Sequence, residues 1–270
     1  MLKKMDSKST IAVINQKGGV GKTTTVINLA ASLSILGQNN LVIDLDPQGN
    51  ATTGLGKSNN DGDKNIYNLL IKKKNLREVI QKTDVEKLDI IGSNVNLSGL
   101  EVETANDSNR AFLLKEILQK ENDLLLKYDN IFIDCPPSLS LLTIMALVAS
   151  QELLVPLQTE FFALEGITQL VKTIDRIKIN LNPQLKVRGI LLTMFDKRNK
   201  LSTQVDKEAR NYFKEKVYQT VIPRNVRLSE APSHGLPCVV YDKSCLGSKS
   251  YFKIAEEFIK KKNIEVESAA

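Results

Sequence analysis

The run Lys17-Gly18-Gly19-Val20-Gly21-Lys22-Thr23-Thr24 constrains this 270-residue chain more than any other feature. It follows an apolar, β-branched stretch, Thr10–Asn15, and opens a helical pattern, Thr23–Leu36. Glycines let a backbone curl until successive N–H groups converge on phosphate oxygens. The helix that starts there adds its positive end to the same spot. At this spacing Lys22 reaches the β- and γ-phosphates of a nucleotide, and the Thr23 hydroxyl ligates Mg²⁺. Strand, loop and helix in that order separate the run from a glycine-rich turn that merely contains Lys and Thr.

Such a loop belongs in an α/β sheet, and the remaining pattern agrees. Leu41–Asp46, Asn130–Asp134, Glu152–Leu157 and Val187–Thr193 read as strands. Ala111–Leu126, Ser138–Ala149 and Leu164–Ile179 read as helices, and Gly37 sits where a helix-ending glycine belongs. Nearly continuous apolar strands alternating with helices predict a doubly wound, mainly parallel sheet covered on both faces. Its ligands sit at the carboxyl ends of the strands. With 42% hydrophobic and 25% charged residues, the chain supports one large domain over 1–270. Residues 1–9 and 263–270 are expected as flexible ends, and Gly54–Lys64 as a surface loop. No run approaches the ~18 apolar residues of a membrane span, and polar Asp6–Ser9 follows Lys3 and Lys4 where a secretory core would lie. A cytoplasmic location is therefore expected. Cys135, Cys238 and Cys245 form no C-x-x-C pair and read as reduced, packing thiols. His234 is the single histidine, which argues against histidine-based triads and multi-histidine metal sites, and its Pro/Ser/Gly-rich surroundings read as a loop.

Two acidic strand ends add chemistry. Leu41–Asp46 runs into Asp44-Leu45-Asp46-Pro47, where alternation puts Asp44 and Asp46 on one side and Pro47 stops the strand. A carboxylate there either holds an attacking water or binds a water on Mg²⁺. Ile131-Phe132-Ile133-Asp134 is an apolar strand ending in an acid and resembles a Walker B strand, which implies that Asp134 holds Mg²⁺ through water. Asp44, Asp134 and Thr23 are thus the candidate metal residues.

The common phosphate-loop pattern G-x-x-x-x-G-K-S/T has glycine where this chain has Gln16, and Lys17 is a second lysine at the loop's start. The loop resembles the deviant Walker A motif, K-G-G-x-G-K-S/T, of the ParA/MinD ATPase family. Asp46-Pro47-Gln48-Gly49-Asn50-Ala51-Thr52, Asp134-Cys135-Pro136-Pro137-Ser138-Leu139, Phe162-Ala163-Leu164-Glu165-Gly166 and Val221–Ser233 are similar to its ParA/Soj branch. The similarity runs from about Ile11 to about Ile259. It implies a P-loop ATPase fold, ATP and Mg²⁺ as ligands, and an ATP-dependent homodimer. Lys17 then acts across the dimer interface, Lys22 acts within its own subunit, and Asp46 orients the attacking water. Gly18, Gly19, Val20, Gly21 and Thr24 complete the nucleotide loop, and Pro223 and Asn225 lie against base and ribose. The family also binds nonspecific double-stranded DNA, which assigns Arg198 and Arg227 to that role with Arg224, Lys197 and Lys200 close by. A ParB-type centromere-binding partner, slow intrinsic turnover, nucleoid association and a role in chromosome or plasmid segregation are further implications. The net charge of +6 is compatible with nucleic acid. No aromatic residues interleave with these basic ones, so contacts to the phosphate backbone are expected rather than base reading.

The alternative is a MinD-like ATPase that cycles on membranes through a C-terminal amphipathic helix. Tyr251, Phe252, Ile254, Ala255, Phe258 and Ile259 do form an apolar stripe. Glu256 and Glu257 interrupt its polar face and the chain ends Glu265-Val266-Glu267-Ser268-Ala269-Ala270, which weakens attraction to anionic lipid. A helix packed on the domain, and no membrane partner, is the expectation. An iron–sulfur carrier needs paired cysteines that this chain lacks.

Overall fold

A computed structural model describes residues 8–58, 62–161 and 163–269, without the side chains of 164, 165 and 263–269. Phe162 and most of the N-terminal 1–9 segment lie outside the described residues. Seven strands form one sheet: β1 (Ser9–Val13), β2 (Asn40–Asp44), β3 (Gln81–Lys82), β4 (Leu88–Ile91), β5 (Asn130–Asp134), β6 (Glu152–Gln158) and β7 (Lys186–Thr193). Their order is β3-β4-β2-β5-β1-β6-β7, parallel throughout except for the short edge pair β3–β4. This is the doubly wound sheet the alternation implies. β1 lies between β5 and β6, where the winding reverses, and the ligand crevice of such sheets opens beside that point.

Period-two alternation explains the two cores. Ile11, Val13, Val42 and Phe132 face one side, and Ala12, Ile14, Leu41, Ile43, Ile131 and Ile133 face the other. The first face is covered by α1 (Lys22–Ile35) and the C-terminal helix Leu246–Ala269. The second is covered by helices Leu113–Lys120, Leu141–Ala149 and Ala163–Asn180.

Several boundaries differ from the sequence expectation. The expected helix Ala111–Leu126 is broken at Glu121, whose backbone (φ −98°, ψ 25°) leaves helical geometry before a short turn, Asn122–Leu125. The helix expected from Ser138 begins at Leu141, after Ser140 in extended conformation. β2 stops at Asp44 rather than Asp46, so Asp46 lies in the turn, not on the strand. The edge strands β3 and β4 are not anticipated from the sequence, because four residues, Leu88–Ile91, interrupted by Asp89, are too few to show a period. The C-terminal helix continues to Ala269, into the 263–270 stretch expected as a tail, of which Ala270 lies outside the described residues.

The apolar stripe of that helix is core. Tyr251, Ile254, Ala255 and Phe258 are buried. The Tyr251 hydroxyl pairs with the Thr25 hydroxyl of α1 at 3.1 Å. Phe258 packs on Phe132 of β5 with ring centroids 5.9 Å apart. Arg188 lies over the Phe258 ring at 3.8 Å, donates to both Glu152 oxygens at 2.9 and 2.7 Å, and donates to the Phe258 carbonyl at 3.0 Å. The residues that make the stripe look membrane-seeking are therefore already occupied. Among the described residues no helix is long and apolar enough to cross a membrane. Phe258→Ala is expected to lower unfolding free energy by about 3–5 kcal/mol. The exposed Lys253→Glu is expected to stay within about 0.5 kcal/mol. Urea midpoints of the two variants check both values.

Candidate functional site

The site forms where β1 passes into α1, and its geometry starts with two glycines. Gly19 (φ 73°) and Gly21 (φ 90°) adopt left-handed backbone, and Gly21 is the residue from which α1 starts. A side chain at either would be strained. Asn15 holds the loop's entry: its amide donates to the Pro156 carbonyl at 2.8 Å and its carbonyl oxygen accepts from Lys17 N at 3.0 Å. Thr193, at the end of β7, donates to the Val20 carbonyl at 2.8 Å. Sequence reasoning gives Asn15 and Thr193 no role. Their only signal is a polar residue ending an apolar strand, which is too common to point anywhere.

Lys22 is buried, with its ammonium donating to the Lys17 carbonyl at 3.1 Å. Burial lowers its pKa, opposed by the charges of Asp134, Cys135 and Asp46. The loop's lysine therefore stands among the acids that the sequence nominated.

Asp44 and Asp134 are register partners at the carboxyl ends of β2 and β5, and both are fully buried. Asp44 is well partnered. It accepts from Thr52 N at 2.8 Å, from the Thr52 hydroxyl at 2.7 Å and from Asp46 N at 3.2 Å. Burial still pushes its pKa up to about 6. Asp134 has no hydrogen bond within 3.5 Å at either oxygen. Burial first, then the neighbouring Asp44 charge, raises its pKa well above the usual carboxylate range, and the nearby Thr23 hydroxyl offsets this only in part. Thr52 is a further residue that the sequence leaves without a role.

An unpartnered, buried carboxylate beside a hydroxyl and a second acid fits a hard divalent cation that takes oxygen ligands and keeps several waters. Among the described residues no group of three or more His, Cys, Asp or Glu side chains could hold a metal alone. That also fits Mg²⁺, which is usually shared between one or two protein groups and substrate phosphates. Thr23 and Asp44 both stand beside Asp134, and Asp44 is also engaged by Thr52.

Asp46 sits just beyond, buried, accepting from Gln48 N at 3.0 Å within the turn that leads to helix Asn50–Gly54. Pro223 and Asn225 reach the loop from the other side. A cleft of about 100 Å³ is lined by Gly21, Thr24, Thr193, Pro223, Asn225 and Tyr251. Pro223 is held there by a bridge to Phe195, while Asn225 Oδ1 caps a short helix by accepting from Arg227 N at 3.0 Å. A larger cavity of about 700 Å³, lined by Lys8, Thr10 and Lys115, opens at the amino end of the sheet. It lies away from these acids and the loop.

Lys17 is half exposed, and its ammonium pairs with the Glu160 carboxylate of its own chain. Arg198 is 90% exposed and grips Asp196 with two bonds, 3.0 and 2.9 Å. Those bonds hold the Asp196 carboxyl down at about 2, with Arg224 adding to the effect. Arg227 pairs with Glu230 at 2.7 Å and with Asp242 at 3.5 Å. The three arginines thus stand around acids of the same chain, and Arg198 and Arg224 share the neighbourhood of Asp196.

A family profile described as "AAA domain" matches residues 8–187. The chain is 46% identical over 262 residues to the chromosome partitioning protein ParA of Caulobacter vibrioides, covering 96% of this chain and 97% of that one. It is 48% identical over 249 residues to the sporulation initiation inhibitor protein Soj of Bacillus subtilis, covering 92% and 96%. Among solved structures, cobyrinic acid a,c-diamide synthase from Mycobacterium smegmatis, with bound ATP analogue and magnesium, superposes with a TM-score of 0.82. It is 31% identical, over 94% of both chains.

The buried acids carry a pH signature. In the unfolded chain both ionise near the ordinary aspartate value of about 4, and in the fold both hold their protons to higher pH. The native state then binds more protons, so stability falls as pH rises from about 4 through about 6 and beyond. Asp134→Asn removes the buried charge. Its melting temperature without nucleotide should exceed the wild-type value at about pH 8, with the gap closing below about pH 4. A lower melting temperature at alkaline pH would mean that the Asp134 carboxylate is partnered in solution.

Proposed function

The chain belongs to the ParA/Soj family of chromosome-partitioning ATPases, and on that premise we propose that it is a Mg·ATP-dependent dimerising ATPase that binds DNA without sequence preference and segregates replicated DNA. The observation that carries the ATPase reading is the convergence of Lys22, Thr23, Asp46 and Asp134 on one glycine-turned loop. The loop N–H groups and the start of α1 bind the phosphates of ATP, and Lys22 places its ammonium on them. Mg²⁺, when bound, neutralises developing charge on those phosphates. Thr23 and Asp134, with Asp44 beside them, would hold it. Asp46 orients the attacking water, and Pro223 and Asn225 line the cleft that takes base and ribose.

Lys17 supplies the trans contact. In the single chain it is engaged by Glu160, so dimerisation exchanges that surface pair for a partner's nucleotide. A point charge from the second subunit stabilises the transition state, which makes hydrolysis depend on the dimer. Dimerisation also sets the arginines of two chains side by side, and two weak patches gain effective concentration once joined. Hydrolysis then separates the subunits and releases DNA. A ParB-type partner accelerates that step. Cytoplasmic, nucleoid-associated localisation follows from the same reading.

Each DNA-directed arginine is held by acids of its own chain, so phosphates compete with Asp196, Glu230 and Asp242 for it. Binding to random-sequence duplex should require ATP and weaken steeply with salt. Arg198→Ala with Arg227→Ala should flatten the log–log salt dependence by roughly 0.9 for each phosphate no longer neutralised. Asp196→Asn should instead tighten binding. Equal, salt-insensitive binding by all three proteins would exclude these arginines from the interface.

For the catalytic residues, Lys17→Ala is expected to abolish ATP-dependent dimerisation in light scattering while ATP binding survives. Asp46→Ala should give a DNA-bound, ATP-loaded dimer whose turnover falls by about 10²-fold or more. Normal hydrolysis by Asp46→Ala would move the water-orienting role elsewhere.

A further inference from the structure

Two thiols that no part of the ATPase reading uses lie side by side. Cys238 follows Pro237 at the start of a short helix, Cys238–Tyr241, and Cys245 immediately precedes the C-terminal helix Leu246–Ala269. Their sulfurs are 3.5 Å apart, and both are free. Ser248 ties them together: its hydroxyl donates to Cys238 Sγ at 3.4 Å and its amide N–H to Cys245 Sγ at 3.3 Å. The two cysteines differ in access. Cys238 is buried, whereas Cys245 is partly exposed. Cys135 is buried elsewhere, just past the end of β5.

We propose that Cys238 and Cys245 form a reversible dithiol–disulfide site that staples the 238–245 turn to the start of the C-terminal helix. A disulfide needs its sulfurs at about 2.05 Å, so they must approach by only about 1.5 Å. The turn is short and exposed at Lys243 and Ser244, which leaves room for that movement. Disulfides in reducing compartments are usually transient and redox-sensing rather than structural.

The oxidant class is a small disulfide such as glutathione disulfide. The Cys245 thiolate, the accessible partner, attacks one sulfur of that disulfide, forming a mixed disulfide and expelling one small thiolate. Cys238 then gives up its proton to the expelled thiolate and attacks Cys245 Sγ. The protein S–S bond forms and the second small thiol leaves. Two protein thiols are oxidised and one small disulfide is reduced to two thiols. Burial pushes the Cys238 thiol up to about 12, which suits it to the second, intramolecular step rather than to first attack.

The position gives the staple something to act on. Val239 N donates to the Asn28 side chain of α1 at 3.3 Å, so the turn is seated on the helix that begins at the phosphate loop. Asp242, inside the turn, caps Ser244 N and Cys245 N at 3.0 and 3.1 Å and is one of the two carboxylates on Arg227. Closing the bridge fixes the turn that carries Asp242.

The test is incubation of the folded full-length protein with glutathione disulfide, followed by alkylation of remaining thiols, intact mass and peptide mapping. The expected product is an unalkylated Cys238–Cys245 pair, about 2 Da lighter than the dithiol. Cys135 should be alkylated only after unfolding, and dithiothreitol should reverse the bridge. Cys238→Ser should instead accumulate a stable glutathione adduct on Cys245, and Cys245→Ser should leave Cys238 unmodified. Circular dichroism confirms that both variants are folded. A persistent single adduct on wild-type Cys245, a bridge to Cys135, or no reaction would overturn the proposal. None of these readouts depends on ATP or DNA binding.

Discussion

Two carboxylates, Asp44 and Asp134, end adjacent parallel strands in the dry interior, side by side in register, with the buried Lys22 ammonium close to Asp134. Most of the surrounding structure answers that arrangement. Thr52 and the turn after β2 satisfy Asp44, and that turn also fixes where Asp46 stands. Asp134 is left without a hydrogen-bonding partner, held by the rigid centre of the sheet. Burying an unpaired carboxylate is costly, and folds keep such groups where they serve a ligand. The phosphate loop and the buried acids beside it are therefore one construction.

The same economy of position runs through the periphery. Lys17, Arg198 and Arg227 are all surface cations engaged by acids of their own chain. Exposed pairs of this kind contribute little to stability, so they are readily exchanged for other partners. What they supply is a resting geometry. The C-terminal helix is the opposite case: Tyr251, Ile254, Ala255 and Phe258 are buried in the core, and the buried Arg188–Glu152 pair anchors its middle. This helix belongs to the scaffold.

Much of the site is legible in the sequence because its parts are local. The loop from Lys17 to Thr24 carries its own conformation, since Gly19 and Gly21 are required by positive φ and Lys22 and Thr23 open α1. Asp134 is readable because an apolar strand that stops at an acid places that acid at the sheet's carboxyl edge. The expectation that Asp44 and Asp46 share one strand face does not hold, because β2 ends at Asp44. Its carboxylate accepts the Asp46 N–H, which turns the chain. Nothing in a run of alternating residues reveals a strand cut short by its own side chain.

The sequence by itself determined the nucleotide loop, the doubly wound sheet and the acids at its carboxyl edge, because these follow from residue types a few positions apart. Tertiary structure decided the rest. It set Thr193 against Val20, Asn15 against Pro156, Thr52 against Asp44 and Glu160 against Lys17. It also brought Cys238 to Cys245 and turned the stripe from Tyr251 to Phe258 inward. The physical reason is distance along the chain and direction in space. Hydrogen bonds and buried faces depend on where side chains point once strands and helices have packed, and local periodicity carries no record of which partner waits there.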